Sequence, residues 1–200
     1  MNTLSGQVRS VTLATLATLA LAIGASAQTT AAAPSVRIGI DNFARVSDTY
    51  FRGAQPMGSD YADLARLGVK TVINLIGDSD LDQTEGSSVV KQGMRYVQIP
   101  MSTHKAPTAK QLETFLAIVN DAASQPVYVH CVGGRHRTGV MTAVYRMMHD
   151  GWDAAKAFAE MKQYKFGADF LHPEFKRFVY DYPSTLASAT AAAPAARSGG

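Results

Sequence analysis

Apolar residues in this chain fall into two kinds of run that take turns along the sequence. Short, dense runs at Thr71–Ile76, Arg95–Ile99 and Val127–His130 have the length and β-branched content of strands, and the last two are apolar enough to be central. Segments with helical spacing and helix punctuation separate them. Ser59 opens one that Gly68 closes, Asp82 opens one ended by Gly93, and Thr108 with Gln111 forms a capping box for a long helix through Val119. Farther on, Thr138–Asp150 is amphipathic and stopped by Gly151, and Asp153 starts a helix running to about Gln163. A short last helix is expected from Pro173 to near Tyr180. This alternation, with no internal repeat, predicts a three-layer α/β/α domain over residues 37–183, built on a central, mostly parallel sheet.

The two ends do not share the pattern. Arg9 precedes an uncharged run from Val11 to Ile23, and Ala25-Ser26-Ala27 supplies small residues where a signal peptidase reads. Residues 1–27 are therefore expected to be a signal peptide cleaved before Gln28, and the mature protein to be secreted or periplasmic. A retained N-terminal anchor is the alternative, although the run is shorter than the about 20 residues of a membrane span. Residues 28–36 read as a flexible linker and residues 184–200, rich in Ala, Ser, Pro and Gly, as a disordered tail. Loss of residues 1–27 removes one arginine, Arg9, leaving 173 residues and lowering the net charge from +3 to +2. That length suits one domain with a normal core, and that charge gives no reason to expect nucleic acid or a membrane surface as a partner after cleavage. A lone cysteine excludes an internal disulfide and leaves a free thiol, open to oxidation with no second cysteine to resolve it.

That cysteine sits in His130-Cys131-Val132-Gly133-Gly134-Arg135-His136-Arg137-Thr138-Gly139, between a β-rich run and the start of a helix. A loop closing on a phosphate must turn its backbone N–H groups inward, and Gly133 and Gly134 permit the dihedrals and the close approach this requires. The helix that follows presents unpaired N–H groups and the positive end of its dipole, which favour an anion and equally a thiolate at Cys131. Arg137, six positions after the cysteine, can return across the loop and grip two oxygens of a phosphoryl group with its planar fork. Val132, Gly133, Gly134, Arg135, His136 and Arg137 form the expected substrate cradle. Thr138 is placed to hydrogen-bond the sulfur, and His130 to order the loop through its backbone rather than to act as a base. The same residues in a bland reading would be a small buried hydrophobe and a surface charge, but a Gly-rich turn between strand and helix is a poor core position.

His-Cys-(x)5-Arg-Thr-Gly is the signature of the cysteine-dependent protein tyrosine phosphatase superfamily, and the chain resembles its compact, atypical dual-specificity type. Tyr50-Phe51-Arg52-Gly53-Ala54-Gln55-Pro56, followed by Leu67 to Leu75, is similar to that family's opening strand, first helix and second strand. The resemblance spans roughly Arg37 to Tyr182. It implies a dual-specificity-phosphatase-like fold and a monomeric phosphomonoester hydrolase, without cofactor, working through a phosphocysteine intermediate. Most members carry an aspartic acid on a loop about thirty residues before the cysteine. The corresponding stretch here, Pro100 to Pro107, has no carboxylate, and His104 is its one side chain suited to the role of general acid. Asp78, Asp80, Asp82 or Glu85 could swing in instead, or the reaction could run without an acid.

The remaining features carry less. His104, His130, His136, His149 and His172 lack metal-ligand spacing, so no metal is expected. Gly77 to Asp82 lacks the glycine and closing glutamate of a calcium loop. The methionines read as gap-filling core. Lys105, Arg135 and His136 could rim the pocket and favour heavily phosphorylated substrates. Rhodanese-type sulfurtransferases also cradle an anion around a loop cysteine but are not expected to show Arg-Thr-Gly, and low-molecular-weight phosphatases carry the cysteine near the N-terminus. The expected substrate is a phosphorylated protein or small molecule; alternatives are an inositol phosphate or pyrophosphate substrate, or a phospholigand-binding pseudophosphatase.

Overall fold

A computed structural model describes residues 38–77 and 83–192, with side chains described to Pro183. The signal peptide and linker expected up to residue 36, and residues 193–200, lie outside that range. Five strands form one sheet: β1 (Ala44–Ser47), β2 (Tyr50–Ala54), β3 (Thr71–Ile76), β4 (Arg95–Met101) and β5 (Val127–Cys131), in the order β1-β2-β5-β3-β4. Only the β1–β2 pair is antiparallel; β2–β5, β5–β3 and β3–β4 are parallel. The helices are α1 (Asp60–Arg66), α2 (Glu85–Lys91), α3 (Ala109–Val119), α4 (His136–His149), α5 (Ala154–Gln163) and α6 (Pro173–Ala192).

The period-two alternation of strand side chains divides the core into two layers. Tyr128 of β5 and Val72 of β3 join Phe51, Tyr61, Leu64 and Val89 under α1 and α2. Val127, Val129 and Cys131 join Ile73, Leu75, Phe115, Val140, Phe158 and Phe175 under α3 to α6. The domain is thus three-layered, with the sheet between the two sets of helices, as the alternation predicts.

Three details differ from expectation. The run at Arg95 forms an edge strand rather than a central one, and β3, buried at all six positions, lies beside β5 in its place. Pro100, which cannot donate to a ladder, and the exposed Arg95 suit β4 to the edge. The helix after the calcium-loop-like segment begins at Glu85 with Thr84 at its N-cap position, and Asp82 lies outside the described residues. The last helix does not stop near Tyr180; α6 continues to Ala192, past Pro183, so the expected tail begins as helix. Pro183 removes one backbone donor, and the Ala-rich sequence after it has high helix propensity. No described helix is long and apolar enough to cross a membrane.

Candidate active site

Cys131 ends β5, the strand flanked by β2 and β3, and α4 begins five residues later. The cysteine is nearly buried, and with Thr103, Val132, Gly133, Arg135, His136 and Arg137 it lines a cavity of about 340 Å³. The structure brings all the expected cradle residues except Gly134 to the cavity wall. Gly134 lies beneath it, with φ +62° and its α-carbon so close to Gly53 that a β-carbon would stand 2.4 Å from that residue's carbonyl carbon. Gly133 has no positive φ, so the conformational freedom expected of both glycines is needed at Gly134 alone.

The loop is held by its carbonyls. The Gln55 N–H donates to the Val132 carbonyl at 3.2 Å, the Asn42 side-chain amide donates to that of Gly133 at 2.7 Å, and the buried Arg52 guanidinium donates to that of Gly134. A peptide's N–H points opposite to the carbonyl it is joined to, so tying three successive carbonyls on one side turns the N–H groups of Gly133, Gly134 and Arg135 to the other. Those donors adjoin the first turn of α4, where His136, Arg137 and Thr138 leave their own N–H groups unpaired by the helix. Arg52 is fully buried, its guanidinium lies 3.9 Å from the centre of the Tyr164 ring, and burial pulls its pKa below the usual arginine value. It places a second cation under the loop.

Arg137 is buried, with Nη1 donating to the Met101 carbonyl at 3.4 Å, which aims the guanidinium along the end of β4 into the cavity wall. Thr138 is fully buried, and its hydroxyl has no hydrogen-bond partner among the described residues; the bond to sulfur expected of it is not made. Its carbonyl accepts from Thr142 instead. His130 likewise departs from expectation. It does not bond the loop backbone; its Nε2 lies 2.7 Å from Oε1 of Glu85, off the line of the ring N–H, and both side chains are fully buried. Asn74 and Gln55 donate to the other oxygen of Glu85, at 2.8 and 3.2 Å, and Asn74 also donates to the Tyr96 hydroxyl. Glu85 is therefore locked beneath the nucleophile's strand and is not a carboxylic acid that swings into the pocket. Asp78, Asp80 and Asp82 lie outside the described residues.

His104 does not line the cavity; its neighbour Thr103 does. Its exposed ring stacks on that of His172, with centroids 5.4 Å apart. His172 in turn lies 3.8 Å from the His136 ring, whose Nε2 is 2.9 Å from the Phe166 carbonyl. Partial burial lowers the His136 pKa below the ordinary histidine value. Arg135 and His136 stand at the pocket wall, whereas Lys105 does not. Three histidines from the loop after β4, the start of α4 and the segment before α6 thus meet beside the cavity, although their sequence spacing gives no sign of it. Asn42, Arg52, Gln55 and Glu85 also escape the motif; the one signal for any of them is a charged residue, Arg52, inside an otherwise apolar strand.

The DSP-PTPase phosphatase domain described as fused to NAD+ kinase matches residues 37–177. The dual specificity protein phosphatase TpbA of Pseudomonas aeruginosa is 34% identical over 126 residues, covering 63% of this chain and 56% of that one. The inositol diphosphatase SIW14 of Saccharomyces cerevisiae is 28% identical over 131 residues, covering 63% and 46%. The chain spans about half the length of these relatives. A solved structure of a cysteine-to-serine variant of TpbA in complex with phosphotyrosine superposes with a TM-score of 0.63 at 29% identity, covering 76% of this chain and 91% of that one. The core catalytic domain of SIW14 in complex with citrate gives 0.62 at 25% identity, covering 78% and 97%. With most of the described domain matched and the Cys131–Arg137 loop in place, the chain belongs to the DSP-PTPase phosphatase family, among its compact dual-specificity members.

Proposed function

We propose that this protein is an exported phosphatase that hydrolyses phosphomonoesters through a phosphocysteine intermediate. The observation that carries the reading is the loop whose three consecutive carbonyls are tied outward, with Cys131 at one end and Arg137 at the other. The Cys131 sulfur attacks phosphorus, the phosphoryl group passes to sulfur, and the substrate oxygen departs. The inward N–H groups of Gly133, Gly134 and Arg135, the start of α4 and the Arg137 fork oppose the charge that builds on the phosphoryl oxygens. Water then attacks phosphorus and the sulfur leaves, releasing phosphate. The Thr138 hydroxyl, a buried donor without a partner among the described residues, is available to the sulfur as it departs.

A test is a phosphate-release screen of the domain against phosphotyrosine, phosphoserine, phosphoinositide and inositol polyphosphate substrates, with isolation of phosphate on Cys131. Trapped phosphocysteine separates an enzyme from a phospholigand-binding pseudophosphatase. Replacing Cys131 by serine is expected to abolish turnover while the cradle still binds phosphate, because an alcohol is far from ionised at neutral pH. Variant activity within tenfold of the parent would sink the covalent route.

One observation favours a second substrate class, an inositol phosphate or pyrophosphate. The described residues lining the cavity include Arg135 and His136 and no carboxylate, a wall that suits several phosphates and a leaving group needing no proton. SIW14, named an inositol diphosphatase, is among the relatives. Export rests on the leader read in residues 1–27, and an intact mass beginning at Gln28 from a secreting host tests it. A monomer acting on a phosphorylated protein or small molecule completes the reading.

A further inference from the structure

We infer that His104, His172 and Glu174 form a binding site for a divalent transition-metal ion of the zinc class at the rim of the catalytic cavity. One ligand atom from each residue lies within 4.8 Å of the other two. The Nδ1 of His172 and Oε1 of Glu174 are 3.4 Å apart, close to the about 3.3 Å that separates two ligands on one tetrahedral zinc ion with bonds of about 2.0–2.1 Å. These two side chains are mostly buried, at 13% and 23% exposure, and so form the fixed half of the site. His172 is held there by the His136, Phe166 and Phe175 rings around it. The third ligand is the exposed half. His104 is exposed, and its ring would have to turn from the stack on His172 to bring its donor the remaining distance.

Two imidazoles and one carboxylate are a borderline nitrogen and oxygen set, suited to zinc more than to magnesium or calcium, and a fourth position stays open to water. Such an ion would join the loop after β4 to the first turn of α6. Thr103, next to His104, and His136, packed on His172, both line the cavity, so the bound ion would fix one wall of the pocket. It would do so without touching Cys131.

The experiment is titration of untagged protein with Zn2+ and Co2+, followed by calorimetry and by the visible absorption of bound Co2+. The Cys131→Ser background is used, because a loop thiolate is itself a zinc ligand. One equivalent of Zn2+ is expected to bind and to raise the melting temperature, and Co2+ to show the intense visible bands of a low-coordinate site. His104→Ala, His172→Ala and Glu174→Gln should each weaken binding by at least about tenfold, the lower bound for disturbing even an outer partner of a metal ligand. His149→Gln, on the far end of α4, should leave it unchanged. His104→Ala keeps the test sound if a His172 variant misfolds, since His104 is exposed. Binding that disappears with the thiol, that survives loss of His104, or that is absent altogether would overturn the site. Because the readout is metal binding, it stands apart from whether the protein turns over any phosphate ester.

Discussion

His130, the residue before the candidate nucleophile, holds its Nε2 2.7 Å from Oε1 of Glu85, and neither side chain has any exposure to solvent. The contact ties α2 to β5 at the point where the strand delivers Cys131. Replacing Glu85 with alanine would strip a fully buried acceptor from the Asn74 amide and remove the carboxylate packed on His130, for a loss of roughly 1–3 kcal/mol from the orphaned amide. Glu85→Gln should lose only about 1 kcal/mol, because an amide can offer its oxygen to Asn74 and its N–H to the other histidine tautomer. Urea unfolding with an unchanged slope distinguishes the two. Equal losses would mean that the site requires a carboxylate.

Gly134→Ala tests the cradle from below. A β-carbon there meets the Gly53 backbone at 2.4 Å on a residue with φ +62°, so neither neighbour nor dihedral can yield cheaply. Dihedral strain alone costs about 1–3 kcal/mol, and a fall in melting temperature of at least about 2 °C is expected. Gly133→Ala should be milder, because its β-carbon meets only the flexible Arg135 side chain, at 3.3 Å. A reversed order in thermal melts would show that the loop can move away from β2.

Contiguous chemistry is what the sequence makes legible. The span from Cys131 to Arg137 is legible because its chemistry is contiguous, and the α3 capping box is legible because Thr108 and Gln111 are three apart and both bonds form. What holds the loop is not local. Asn42 reaches Gly133 across 91 positions and Arg52 reaches Gly134 across 82, and it is the parallel pairing of β2 with β5 that sets Arg52 beside the loop. His104 and His172, 68 positions apart, are likewise joined only by the fold. The reading of β4 as central went astray on hydrophobicity, although Pro100 already marked an edge.

Arg137→Lys should reduce kcat far more than it raises KM, by about a hundredfold or more, since a bidentate fork matches the equatorial oxygens of the transition state and an ammonium does not. The buried Arg137 is also oriented by the Met101 carbonyl, a single contact that lysine could keep without restoring the fork. Steady-state kinetics decide. A change confined to KM would make the arginine a simple binding charge.

Asp169 links α5 to α6 through Lys162 and Lys176, at 2.7 Å to each, and these bonds, led by that from Lys162, hold its pKa below the ordinary 3.8. A carboxyl group depressed in the folded state stabilises above its unfolded pKa, and the benefit is lost as pH falls through the folded value. Asp169→Asn should therefore lower the melting temperature by a constant amount near neutrality, with the gap closing only below about pH 3.8. Added salt should narrow the gap at pH 7, because the group is partly exposed. A gap that persists at pH 2 would assign the effect to packing.

The rate of phosphoenzyme formation should depend steeply on the basicity of the leaving group. Among the described residues no carboxylate lines the cavity, and Glu85 is locked under His130, so the departing oxygen carries its charge in the transition state. Aryl phosphates and phosphoanhydrides, which leave well as anions, should then greatly outrun alkyl phosphates. Substrate preference would follow from the missing proton donor as much as from the shape of the pocket. Burst rates across a series of substituted aryl phosphates measure the slope, once chemistry is shown to limit the burst. A nearly flat dependence would mean that a protein acid reaches the leaving oxygen. Asp78→Asn, Asp80→Asn and Asp82→Asn would then be compared, and whichever restored the steep slope would identify that acid; a steep slope in the parent, unmoved by all three, would confine catalysis of the first step to the loop and Arg137.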